Sequence, residues 1–248
     1  MSATKAARPL LSLIVPAYNE EALVPRLLDS VDVARAAYAG RAGEVEVIVA
    51  DNLSTDATAR IARERGCRVV RVERRVIAAA RNGGAAAARG SILCFVDADS
   101  RLHPETFNQI ERTMATGRYI AGATGVTLER WSLGLAATYL LMVAMVIPLR
   151  MDTGVVFCRR EDFEAIGGYD ESRLYAEDVV FLWTLRRLGK RRGQRLVRAT
   201  AAKAVASTRK FDQHGDWHYF RYLPLWAWRS LRSRDVDEIA RAYWYEDR

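Results

Sequence analysis

Within the first hundred residues, short apolar runs alternate with longer stretches of helical spacing, and this alternation constrains the chain more than any other feature. Leu11 to Pro16 is a continuous apolar run, as expected for a strand buried on both faces. Val45 to Ala50, Arg68 to Val72 and Ile92 to Val96 read as further strands. Between them, Glu20 to Ala39 has helical spacing through Leu23, Leu27, Leu28 and Val31. Ser54 to Arg65 opens on Ser54, Thr55 and Asp56, which suit a helix N-terminus, and Val76 to Arg89 is a helix ended by Gly90. Pro104 begins another helix. Strands separated by such helices need crossover connections and pair in parallel, so the expected class is α/β with a mainly parallel central sheet flanked by helices.

The second half is less regular. Tyr119 to Leu128 reads as a strand, Gly154 to Arg159 as a short strand, Glu161 to Ile166 as a short helix and Val179 to Leu188 as a helix. A tail rich in aromatic residues starts at Phe211. With 248 residues, half of them hydrophobic, the chain can bury the core of one sizeable domain. We expect a single domain over 1–248, with functional halves at 10–100 and 101–210 and the tail at 211–248. Met1 to Pro9 lacks the apolar run of a signal peptide and reads as a short lead-in. Cys67, Cys94 and Cys158 lie far apart and show no metal-ligand spacing, which suits free thiols in a reducing cytoplasm.

In open parallel sheets, ligands bind beyond the carboxyl ends of the strands. There the sequence places Pro16-Ala17-Tyr18-Asn19-Glu20 after the first strand, Asp51-Asn52-Leu53-Ser54-Thr55-Asp56 after the second and Asp97-Ala98-Asp99-Ser100 after the fourth. One aspartate after a strand is commonly a cap or turn residue, but three polar clusters in register converge on one sheet edge. Asp97 and Asp99 flank one small residue, so in an extended chain both carboxylates point to the same side and can reach one hard cation, Mg²⁺ or Mn²⁺.

These residues carry a family resemblance over roughly residues 10 to 210. Leu11 to Glu21, Arg81-Asn82-Gly83-Gly84, Ala88-Arg89-Gly90, Asp97-Ala98-Asp99, the set Gly154, Arg160, Phe163, Gly167, Gly168, Tyr169 and Asp170, and the pair Glu177-Asp178 resemble, in order, the motifs of glycosyltransferase family 2. The Asp51 to Asp56 segment keeps that family's first aspartate but has Asn52 and Leu53 where the family usually has aspartate and glycine. The resemblance implies the Rossmann-like GT-A fold and inverting transfer from a nucleoside-diphosphate sugar, UDP- or GDP-linked. It implies a nucleotide pocket from Pro16, Tyr18, Glu20, Val49, Asp51, Arg81, Ala98 and Asp97, a cation on Asp97 and Asp99, and a general base at Asp178, with Glu177 as the competitor.

Charge and hydropathy add two features. The net charge is +8, and Arg186 to Lys210 holds ten Lys or Arg and no acid, so Lys203, Arg209 or Lys210 can meet a diphosphate, and Arg209 joins the expected donor set. His214 is a candidate third metal ligand, with His218 as its rival. Trp131 to Leu149 is uncharged over 19 residues, near the length that spans a bilayer. A crossing would separate Asp99 from Asp178, so the expected alternatives are an interfacial helix, a core helix or a dimer contact. Trp217, Trp226, Trp228 and Trp244, interleaved with Arg221, Arg229, Arg232 and Arg234, suit a lipid headgroup zone. The expectation is thus a cytoplasmic enzyme, peripheral at the inner face of a membrane, with a sugar or lipid-linked acceptor. A nucleotidyltransferase would carry a glycine-rich basic signature at the first strand, which is missing, and a silent nucleotide-binding scaffold draws support only from Asn52 and Leu53. The acids at the sheet edge argue against nucleic acid.

Overall fold

A computed structural model describes residues 10–40, 44–149, 151–174 and 176–220. Seven strands form the main sheet: β1 (Leu11–Ala17), β2 (Val45–Asp51), β3 (Arg68–Arg71), β4 (Ile92–Phe95), β5 (Tyr119–Ala123), β7 (Val156–Arg159) and β8 (Arg195–Arg198). Their order is β3-β2-β1-β4-β7-β5-β8, and β7 alone runs against the others. The expected α/β class is therefore observed, and one sheet draws strands from both expected halves. A small second sheet pairs β6 (Val126–Leu128) with β9 (Ala204–Ala206) in parallel.

The helices are α1 (Val24–Ala36), α2 (Thr58–Glu64), α3 (Ile77–Ala87), α4 (Thr106–Ala115), α5 (Leu133–Leu149), α6 (Arg160–Ala165), α7 (Glu177–Arg191) and α8 (Arg209–His214). Every residue of β1 is buried, because alternate side chains enter two cores. Leu11, Leu13 and Val15 pack with Leu27 and Val31 of α1 and Phe107 and Ile110 of α4. On the other face, Ile14, Ile48, Leu93 and Phe95 pack with Ala78 and Ala85 of α3 and Phe181 and Leu185 of α7. Gly84 lets α3 lie this close: a Cβ there would sit 2.5 Å from the Ile14 Cγ2.

Several boundaries differ from the sequence expectation, for local reasons. The strand expected over Tyr119 to Leu128 is two strands, because Gly125 at φ 75° turns the chain between sheets. The second helix begins at Thr58 and not at Ser54, since Ser54, Thr55 and Asp56 spend their polar groups on the neighbouring loop. The first helix starts at Val24 with a proline in its first turn, and α4 starts at Thr106 after a turn holding Pro104. β8 and β9 fall inside the basic block, where charge masks the short alternation of an edge strand. The three cysteines are free thiols, and Cys94 and Cys158 are buried. The expected lead-in at Met1 to Pro9 and the tail tryptophans beyond residue 220 lie outside the described residues.

Candidate active site

The three strand-end clusters meet as expected, and side chains lock the first two together. The Asn19 Oδ1 accepts from the Thr55 N–H at 2.9 Å, while the Asn19 and Glu20 N–H groups donate to the Ser54 and Thr58 hydroxyls at 3.1 and 2.8 Å. The Glu21 N–H donates to Asp56, and Glu21 in turn accepts from the Ala57 N–H. Ser54, Thr55 and Asp56 therefore fix the loop after β1. Asp51 is buried and accepts from the Ser54 N–H at 3.1 Å. Asn52 donates through its side chain to the Val72 and Arg74 carbonyls, tying β2 to the loop after β3.

Among the described residues, three that are not glycine have left-handed backbones: Asn19, Leu53 and Ala176. Each adjoins one of these clusters, and such backbones concentrate at functional sites. Leu53 stands where the resembling motif has glycine, and a side chain at φ 67° costs about 1–2 kcal/mol. Leu53→Gly is expected to stabilise the protein by roughly 0.5–1 kcal/mol, after glycine's larger chain entropy is subtracted. Urea denaturation measures this, and an unchanged or lower midpoint would show that Leu53 packing outweighs the strain.

Two arginines connect the acids. Arg209, at the start of α8, grips both oxygens of buried Glu20 at 3.0 and 3.1 Å, and the Nη2 that makes the longer of these bonds also lies 3.8 Å from Asp99. Arg81, on α3, lies between Asp97 at 3.0 Å and Glu177 at 2.6 Å, with its guanidinium 5.1 Å from the centre of the Tyr169 ring. Tyr169 stacks on Phe181 at 4.0 Å within a cluster that includes Phe95 and Phe163. Burial raises the Glu177 carboxyl above its ordinary value, against the pull of Arg81. Asp178 is half-buried at the first turn of α7, where its Oδ1 accepts from the Val179 N–H. The helix dipole favours both acids there.

Placement separates the expected site residues. Tyr18, Glu20, Asp51, Arg81, Asp97, Asp99, Glu177 and Arg209 all lie at the carboxyl edge of the sheet or on the elements that pack over it. Val49 has no exposed surface and packs in the core with Leu13 and Val15, one pleat below Asp51 on the same strand. Pro16 and Ala98 are buried as well. His214 does not join this group. It lies at the far end of α8, and among the described residues no three acids, histidines or cysteines stand close enough to hold an ion; Arg209, at the near end of α8, lies beside Asp99 instead. His218 is buried against the Gly215 carbonyl. Of the basic block, Arg209 reaches these acids, while Lys203 donates to the Tyr139 hydroxyl. Sequence reasoning missed Arg75, whose guanidinium lies 4.0 Å from the centre of the Tyr18 ring; its basic run with Arg74, directly after β3, was the available signal.

Asp97 and Asp99 offer hard oxygen donors suited to Mg²⁺ or Mn²⁺, and the Asp97 side chain is half-exposed while Asp99 keeps partial exposure, so both are open to an ion beside their arginine partners. The residues present therefore fit such an ion.

A mainly parallel sheet with one reversed strand and paired acids beyond its carboxyl edge defines a GT-A fold. The chain belongs to glycosyl transferase family 2: that family's model matches residues 12–144. Among curated relatives, the succinoglycan biosynthesis protein ExoO of Rhizobium meliloti is 29% identical over 62% of this chain and 45% of its own length. The putative glycosyltransferase EpsH of Bacillus subtilis is 31% identical over 42% of this chain and 30% of its own. The chain thus spans less than half the length of these relatives. Among solved structures, the mannosyltransferase PcManGT of Pyrobaculum calidifontis, in complex with GDP-Man and Mn2+, superposes with a TM-score of 0.66 at 24% identity, over 89% of this chain and 63% of that one. S. aureus TarS 1-349 gives 0.61 at 20% identity, over 83% and 62%.

Proposed function

We propose that the protein transfers a glycosyl group, with inversion, from a nucleoside-diphosphate sugar to an acceptor hydroxyl. The observation that carries this reading is the pair of arginine links, Glu20–Arg209–Asp99 and Asp97–Arg81–Glu177, which draw the donor-side acids and the candidate base pair to one sheet edge. In this reading Tyr18 and Asp51 take the nucleoside and Arg209 the diphosphate, supported by the Arg75 guanidinium over the Tyr18 ring and by the bond that holds Asp51 at the strand end. Asp97 and Asp99 would hold Mg²⁺ or Mn²⁺, which when bound neutralises charge on the departing nucleoside diphosphate.

Asp178 takes the proton from the acceptor hydroxyl while that oxygen attacks the anomeric carbon. The bond from that carbon to the diphosphate oxygen breaks on the opposite face, and its electron pair leaves with the nucleotide. Glu177 is already committed to Arg81 at 2.6 Å, which supports Asp178 as the base. Structural relatives carrying GDP-Man with Mn2+ and UDP-GlcNAc support a nucleotide-sugar donor of either base. The acceptor, in this reading, is a sugar or lipid-linked hydroxyl offered at the cytoplasmic face of a membrane.

Calorimetric titration with UDP and with GDP, each with and without Mn²⁺, tests the donor site. Metal-dependent binding of one nucleotide is expected. Folded protein that binds neither would remove the support for this reading.

A further inference from the structure

Of the large apolar side chains exposed among the described residues, most gather in one region: Trp131, Leu133, Leu140 and Ile147 on or just before α5, and Trp217 and Phe220 beside its start. Among the α5 positions whose burial is described, the exposed ones are Leu133, Ala136, Leu140, Ala144 and Ile147, a spacing that places them on one helical face. Leu133 and Leu140 are 84% and 70% exposed, far more than a packed helix leaves open. The opposite face, with Gly134, Leu135 and Thr138, is buried. A Cβ on Gly134 would lie 2.8 Å from the Asp216 carbonyl oxygen, so the segment carrying Trp217 packs directly on the helix start. Arg130 pins that junction through Asp212 and Asp216.

The geometry points to α5 and the adjoining aromatic residues as a surface that docks on an anionic phospholipid bilayer. Three observations favour this occupant. First, α5 carries no charge over 17 residues, yet at about 25 Å it is shorter than a hydrocarbon core of about 30 Å, and among the described residues no helix is long and apolar enough to cross a membrane. The chain enters α5 from β6 and returns through β7 into the main sheet, so both ends of the helix lead back to the same domain. Second, Trp131 and Trp217 lie at one end with Phe220, and the amphipathic indole rings of tryptophan sit at headgroup level. Third, the sequence that continues from Phe220 holds Arg221, Arg229, Arg232 and Arg234, with Trp226 and Trp228, before its first acid at Asp235. A basic, aromatic continuation complements anionic headgroups.

The surface also stands close to the chemistry. Asp212 and Asp216, which hold the start of α5, belong to the segment opened by Arg209, and Arg209 reaches Glu20 and Asp99. A bilayer on α5 would bring lipid-borne hydroxyls near the donor site. That consequence rests on the transfer reading, whereas the docking itself does not.

Flotation of the full chain with phosphatidylcholine vesicles, with and without phosphatidylglycerol, tests the docking. The protein is expected to float with phosphatidylglycerol vesicles. L140E/I147E, at exposed positions that leave folding intact by circular dichroism, is expected to weaken that partition roughly ten- to hundredfold. Arg229→Ser with Arg232→Ser is expected to reduce the preference for phosphatidylglycerol. Equal flotation of L140E/I147E would overturn the proposal. So would a dimer by light scattering that L140E/I147E splits without any vesicle binding, which would assign the face to a second copy. A third overturning result is a wild type that stays in solution and loses thermal stability in L140E/I147E, which would assign the face to residues 221–248. Nucleotide binding by the same variants separates this question from the transfer reading: lost flotation with intact nucleotide binding concerns the surface alone.

Discussion

Asp178→Asn is expected to lower turnover by about 10²–10⁴-fold, the range of general-base catalysis, while donor binding and fold stay close to those of the wild type. The expectation follows from how α7 divides its two acids. Glu177 points into the protein, buried and held by Arg81 at 2.6 Å; Asp178 stays half-buried at the same helix start. The Asp178 Oδ1 accepts from the Val179 N–H, a bond that asparagine reproduces. The structural cost is then the lost charge near the helix N-terminus, about 0.3–1 kcal/mol. Glu177→Gln should behave in the opposite way, losing more stability than its share of base chemistry would suggest. Steady-state kinetics on both variants, with calorimetry for the donor, checks the division. Full transfer by a folded Asp178→Asn would move the base elsewhere.

The fold was legible because its strongest signals are local. The two-sided burial of β1 makes Leu11 to Pro16 apolar at every position but Ser12, and the acids that follow β1, β2 and β4 share one edge by topology alone. The split at Gly125 was hidden, since a single glycine in an apolar run marks a bend only once the two sheets are known. β8 was hidden by Arg195 and Arg198 at its ends. At the site, residue identities could be read but their partners could not. Glu20 and Arg209 are 189 residues apart, and Arg81 and Glu177 are 96 apart; no periodicity connects such positions. The place of His214 was hidden for the same reason: the sequence gives its order in the chain, and it is Arg209 on α8 that lies beside Asp99. Val49 shares a face with Asp51 but sits one pleat deeper in β2, and the depth at which a strand's side chains become accessible is not written in its sequence.

Removing the Arg81 cation is expected to have the largest effect on stability. Arg81→Met keeps the approximate volume and leaves Glu177, 8% exposed, without its buried partner. Breaking a buried pair from one side costs about 3–5 kcal/mol, a large share of the roughly 5–15 kcal/mol that holds a typical domain together. Asp97 adds less, because its side chain is half-exposed and water can replace the guanidinium. The loss should depend on pH. Burial already raises the Glu177 carboxyl in the wild type, and without Arg81 it must rise further. A carboxyl whose folded pKa lies above its unfolded value favours the folded state below the unfolded pKa and loses that advantage as pH rises through the folded pKa. The deficit of Arg81→Met should therefore shrink in acid and widen toward neutral pH. Adding Glu177→Gln should recover part of it, giving a coupling on the order of 1–3 kcal/mol in a double-mutant cycle. Arg81→Lys should recover stability less completely, since one ammonium cannot reproduce the two separate contacts of the guanidinium fork. Urea denaturation across a pH series measures the wild type, both single variants, the double variant and Arg81→Lys, and a pH-independent deficit that Glu177→Gln fails to relieve would show that Arg81 acts through packing on Tyr169 and not through its charge.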